Sequence, residues 1–275
     1  LEAQGFVMRP FLLLLALLMP ACAAEQRTIT LPGPNGMPLQ AELFLPDGPP
    51  RGPAVLGLHG CSGFRFRNGQ VFPLYRAWAA EFTGRGQAVL LPDSFASRGA
   101  GEQCTVRDSV IRPGRERRQD AISAATWLAA QPFAQPGGVL AMGWSHGGST
   151  VLATAALPED APILGYVALY PGCAFYNRFA GWRSTRPMLL LIGEADDWTP
   201  AAPCAELAGR NPGIVTYHSY PGAVHSFDAP DMPLAERSGL ARTVNNNGRA
   251  RVGTDHPARR DALDRVRAFV AGLPR

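Results

Sequence analysis

One segment of this chain pairs a nucleophile with a backbone that would expose it. Gly143-Trp144-Ser145-His146-Gly147 reads G-x-S-x-G, after an apolar run at 138–142 and before a helical pattern at 145–156. A strand turning sharply into a helix there lifts the Ser145 hydroxyl above a sheet, near the positive end of the helix dipole. Flanking glycines remove side chains that would clash in so tight a turn. A serine hydroxyl is a weak nucleophile until a base accepts its proton. His225 is the expected base, because it follows the last strand pattern (215–220) on a Gly-containing loop. Among the other histidines, His218 falls inside that strand and His256 precedes Pro257 in a polar stretch. His146 points into the following helix, and His59 reads as structural. The imidazole needs a carboxylate to hold its tautomer. Gly193-Glu194-Ala195-Asp196-Asp197-Trp198-Thr199-Pro200 supplies Glu194, Asp196 and Asp197 just after another apolar run. An oxyanion would need two backbone donors. The expected ones are the N–H of His146 and the N–H of Cys61, in His59-Gly60-Cys61-Ser62-Gly63.

These residues lie far apart, so the elements between them must bring them together. Short alternating runs at 27–31 and 39–45 predict an antiparallel pair at a sheet edge. Unbroken apolar runs at 54–59, 87–91, 138–142, 163–169 and 188–192 predict buried strands. Helical spacing marks 71–82, 115–131, 145–156, 200–208 and 257–273. Continuous apolar strands alternating with amphipathic helices predict a mostly parallel central sheet with helices on both faces. Chemistry in such a sheet sits beyond the carboxyl ends of the strands. The polar stretch 228–255 reads as a long surface excursion. Trp144, Trp198, Phe64 and Phe227 either line an apolar pocket or pack the core.

The 275 residues are 46% hydrophobic and 17% charged, which excludes disorder and a coiled coil. Net charge is +4 and every basic residue is Arg. The densest basic cluster, Arg115, Arg117 and Arg118 around Glu116, reads as a solvated helix start, so no nucleic-acid partner is expected. Met8-Arg9-Pro10, an apolar run at 11–19 and Ala21-Cys22-Ala23 read as a signal peptide cut after Ala23, with 1–7 an upstream extension. The run is too short for a stable membrane span. Acylation of Cys22, as in a lipoprotein, is the rival reading. Export would leave Cys61, Cys104, Cys173 and Cys204 in an oxidising compartment, periplasmic or extracellular, where they can form two bridges. No CxxC or Cys/His cluster suggests zinc, and neither metal nor cofactor is expected.

The motif set in order, His59-Gly-Cys-Ser-Gly63, Gly143-Trp-Ser-His-Gly147, Gly193-Glu-Ala-Asp-Asp-Trp-Thr-Pro200 and His225-Ser-Phe227, resembles the dienelactone hydrolase family of α/β-hydrolases. The match runs from about residue 54 to the final helix. It implies an α/β-hydrolase fold in a single domain, residues 24–275, without a large lid. It implies hydrolysis of small esters or lactones by a triad of Ser145, Asp196 and His225. The G-x-x-D-x-x-x-P pattern usual in the nucleophile-elbow class assigns the acid to Asp196 and leaves Asp197 as a loop or cap residue. The family's best-known members carry Cys where this chain has Ser145 and Glu where it has Gly60. Its exported, serine-using members are the nearer match. The family also uses arginines to hold a substrate carboxylate. Arg98 either fills that role or ties down its own loop. In the family's sheet order Cys61 and Cys104 follow neighbouring strands, as do Cys173 and Cys204. That order implies bridges Cys61–Cys104 and Cys173–Cys204 at the rim of the site, with four free thiols the alternative. Peptidase or acyltransferase chemistry on the same triad, or a non-catalytic binding protein on this fold, are the competing functions.

Overall fold

The computed structural model describes residues 25–156 and 161–274. The signal-peptide and Cys22 readings lie outside the described residues. The chain opens with β1 (Glu25–Pro32) and β2 (Pro38–Leu45), an antiparallel pair. Then follow β3 (Ala54–Leu58), α1 (Pro73–Thr83), β4 (Val89–Pro92) and α2 (Glu116–Ala129). Next come β5 (Val139–Trp144), α3 (His146–Ala155), β6 (Ile163–Leu169) and a one-turn α4 (Cys173–Tyr176). The chain closes with β7 (Met188–Gly193), α5 (Ala201–Gly209), β8 (Val215–Tyr220), β9 (Ala235–Arg237), β10 (Ala250–Val252) and α6 (His256–Ala271).

The first eight strands form one sheet in the order β1-β2-β4-β3-β5-β6-β7-β8. From β4 to β8 every neighbouring pair is parallel, and only β1–β2 and β2–β4 are antiparallel. β3, β5 and β7 are buried along their whole length, as expected for strands covered on both faces. This is the α/β-hydrolase fold. α2 packs on α3, while α6 is tied to α1 by Arg267, which donates to both Glu81 oxygens at 2.6 and 2.7 Å.

The excursion at 228–255 runs over the surface, with most of residues 231–249 exposed, but it is anchored to the core at several points. Its first residue, Asp228, is 1% exposed and accepts from Trp78 Nε1 (2.8 Å), Trp144 Nε1 (2.9 Å) and Tyr170 Oη (2.7 Å). Further on, β9 and β10 pair as an antiparallel ribbon, and Val252 bridges to His225. Leu240 and Ala250 pack with Trp198 against the Cys61–Cys104 disulfide. A polar composition hid this because a few buried side chains and backbone bonds suffice to anchor the segment. The second disulfide joins Cys173 to Cys204, linking α4 to α5.

Candidate active site

The site is assembled beyond the carboxyl ends of the parallel strands. Ser145 sits between β5 and α3 with φ 54° and ψ −113°, a strained conformation for a residue with a Cβ. The turn is so tight that a Cβ on Gly147 would lie 1.8 Å from Leu58 O, and one on Gly143 would lie 2.3 Å from Gly147 O. Those approaches explain the two outer residues of G-x-S-x-G.

His225 follows β8, and its Nε2 lies 2.9 Å from Ser145 Oγ. Its Nδ1 lies 2.7 Å from Asp196 Oδ2, just past β7. A carboxylate only accepts, so Nδ1 carries the proton and Nε2 is left to accept from the serine hydroxyl. Asp196 Oδ1 accepts from the N–H of Trp198 (2.9 Å) and of Thr199 (2.8 Å), and Thr199 Oγ1 lies 2.9 Å from Oδ2. The three acid candidates are thereby separated. Asp197 accepts from Arg251 N (2.8 Å) and Nε (2.9 Å), clamping β10 to the β7 loop, and Glu194 accepts from Ser219 Oγ at 2.7 Å.

The loop after β3 approaches from the other side. Gly60 and Cys61 line the same cavity as Ser145 and His225. His146 is the first residue of α3, and the N–H of a first helical residue has no partner inside its helix. Its ring does not point along α3. It meets Arg117 of α2, with Nη1 2.6 Å from Nδ1. Loss of hydration, and then the Arg117 cation, hold the His146 imidazole well below its ordinary value. His59 is fully buried, and burial holds its ring well below that value too. Its role is structural: Nδ1 donates to Gly60 O at 2.8 Å.

The cavity is about 310 Å³ and mostly apolar, with Phe66, Phe72, Leu74, Trp198 and Met232 among its walls. Trp198 stands with its ring 4.8 Å from that of His225. Trp144 contributes to the floor but is 2% exposed, with its indole N–H committed to Asp228. Phe64 and Phe227 are core residues. Arg98 does not reach the cleft: its guanidinium is bound bidentately by Asp120 at 2.7 Å for each bond, so it ties its loop to α2. The cation at the cavity wall is instead Arg237 of β9, 3.3 Å from Ser62 Oγ. It escaped the sequence reading because nothing in a polar stretch marks a short ribbon folding over the mouth. Thr199, Tyr75 and Asp228 were missed as well, since their roles arise from contacts across the fold rather than from local pattern. Among the described residues no cluster of His, Cys, Asp and Glu could hold a metal ion.

A model of the dienelactone hydrolase family matches residues 39–271. No curated protein matches the chain. Solved structures with this fold include a candidate dienelactone hydrolase from Klebsiella pneumoniae, at 16% identity and TM-score 0.68, covering 91% of this chain and 99% of that one. A dienelactone hydrolase-like promiscuous phosphotriesterase from metagenomic libraries matches at 20% identity and TM-score 0.64, covering 91% and 99%. An acetyl xylan esterase from Paenibacillus sp. R4 matches at 17% identity and TM-score 0.56, covering 75% and 80%. At these identities the likeness is one of fold.

Proposed function

The chain belongs to the dienelactone hydrolase family, and from that premise we propose that it is a serine esterase acting on small carboxylic esters or lactones through Ser145, His225 and Asp196. The observation that carries this reading is the hydrogen-bonded chain Ser145–His225–Asp196, 2.9 and 2.7 Å long, opening on an apolar cavity.

In this mechanism the acyl carbon of the substrate sits above Ser145 with its apolar part against Trp198 and Phe72. Ser145 Oγ attacks as His225 Nε2 takes its proton. Asp196 keeps the other ring proton on Nδ1 and stabilises the imidazolium. The N–H groups of Cys61 and His146 receive the developing oxyanion, and losing one such donor typically costs about 3–4 kcal/mol of barrier. The alcohol departs with the proton from His225. Water, activated by the same imidazole, then cleaves the acyl-enzyme. The disulfide at Cys61 braces the loop that bears the first donor, in keeping with an exported enzyme working in an oxidising compartment.

The test is a panel of p-nitrophenyl esters, lactones and peptide p-nitroanilides offered to the purified protein. Turnover of short-chain esters or lactones well above that of the anilides is expected. Preferential cleavage of peptide anilides would replace the esterase reading by a peptidase one. A folded protein that turns over none of them would favour a binding role.

A further inference from the structure

Arg117, expected at a solvated helix start, is 1% exposed. It lies in the first turn of α2, and its guanidinium lies over the Phe95 ring at 5.0 Å. Nη1 reaches His146 Nδ1 at 2.6 Å and Nη2 donates to His59 O at 2.8 Å. A guanidinium has no acceptor, so His146 Nδ1 must accept, and the ring proton sits on Nε2. Burial lowers Arg117 to about 10, which leaves it charged at neutral pH, with Asp120 the strongest compensating charge through space.

These bonds act on the two segments that carry the oxyanion donors. The peptide joining His59 to Gly60 is held at both ends: its carbonyl by Arg117, and its N–H by Tyr75 Oη at 2.9 Å. The next peptide has its Gly60 carbonyl held by His59 Nδ1 at 2.8 Å and by Gly63 N at 3.2 Å. In a trans peptide the N–H opposes the carbonyl, so the direction of the Cys61 N–H is set by the same contacts. On the other segment, the ring that Arg117 binds belongs to His146, whose own N–H is the second donor. Burying a guanidinium is costly, and a packing role alone would be filled better by an apolar side chain.

We infer that Arg117 is a positioning residue for the oxyanion hole: one guanidinium joins the loop bearing the Cys61 amide to the residue bearing the His146 amide and holds the two donors at the spacing a tetrahedral oxyanion requires. This inference rests on the esterase reading above.

The experiment compares Arg117→Lys and Arg117→Met with the wild-type enzyme on p-nitrophenyl acetate. It measures kcat, KM, the inhibition constant of phenylboronic acid and the thermal midpoint. Phenylboronic acid forms a tetrahedral adduct on the serine and so reports the hole directly. The expected result is a kcat loss of about 30-fold for Arg117→Met, KM within about twofold, and boronate affinity falling in step with kcat. Arg117→Lys, which keeps the charge and can still donate to one of the two acceptors, should recover most of the loss. Wild-type kcat in a folded Arg117→Met protein, or a loss confined to KM, overturns the inference. If Arg117→Met does not fold, His146→Leu keeps the amide and removes the acceptor ring. It should lower kcat and boronate affinity together, and unchanged values overturn the inference equally. Ser145→Ala separates the two claims. If that variant is inactive while the Arg117 variants match wild type, only the positioning role falls. If Ser145→Ala retains activity, the esterase assignment itself falls.

Discussion

An imidazole can serve Ser145 as a base only while its proton is kept on the far nitrogen, and that is the work of one carboxylate. Asp196 is equipped for it: fixed by two backbone N–H groups and set beside Thr199, it presents Oδ2 to His225 Nδ1 at 2.7 Å. Asp197, its neighbour, faces the other way onto Arg251. Asp196→Asn should therefore lower kcat by about 10⁴, the loss expected when the wrong tautomer is stabilised. Asp197→Asn should leave kcat within a fewfold of wild type and lower the thermal midpoint by loosening β10. Steady-state kinetics on both variants, with melting curves, decides the assignment, and the reverse pattern would move the acid to Asp197. Ser145 and His225 were legible in the sequence because each sits at a strand end with a local signature. For Arg98 the sequence leaves cleft and loop anchor equally open, and it places Arg117 at a solvated helix start, because an arginine beside carboxylates and turns reads the same whatever partner it meets. What separates them is the partner across the fold: Asp120 for Arg98, and His146 with the His59 carbonyl for Arg117.

At the scale of elements, the sharp turn from β5 into α3 does the exposing, and it tolerates no side chain at its contact points. Gly147→Ala would drive a methyl into the carbonyl of Leu58 at the end of β3. Separating those two segments also displaces the loop that carries Cys61. The variant should be destabilised by about 3 kcal/mol or more, as for other forced overlaps in a packed core, and it should be inactive even where folded. Urea unfolding with parallel ester assays checks this, and a wild-type midpoint would contradict the packing described. The strands and helices of the main sheet were readable because their apolar periods are long and regular. The β9–β10 ribbon was not, because its strands are three residues each and its hold on the site comes from scattered contacts. The backbone of Gly253 bonds to His225 O at 3.1 Å, and that of Ala241 to Cys104 O at 2.9 Å.

For the whole molecule, two buried neutral imidazoles couple stability to pH. His59 and His146 both titrate below their ordinary values in the native state, mainly through loss of hydration. Unfolding restores an ordinary value near 6.5, so below that pH the unfolded chain binds more protons than the native one. Their contribution is complete above about pH 6.5 and is lost as pH falls toward the native values. Asp228, raised by burial, works in the opposite sense at more acid pH, where native protonation exceeds that of the unfolded chain. Thermal midpoints from pH 8 to 5 should decline below about 6.5, and a flat or rising profile would contradict the burial of both rings. The same global packing brings Ser145, Asp196 and His225 together from β5, β7 and β8. Labelling with a fluorophosphonate followed by intact mass and peptide mapping tests that convergence most directly. A single adduct on Ser145 is predicted, absent from urea-unfolded protein and from Ser145→Ala, which should also have lost ester turnover. A folded protein that takes no label, or carries it on another residue, would contradict the account.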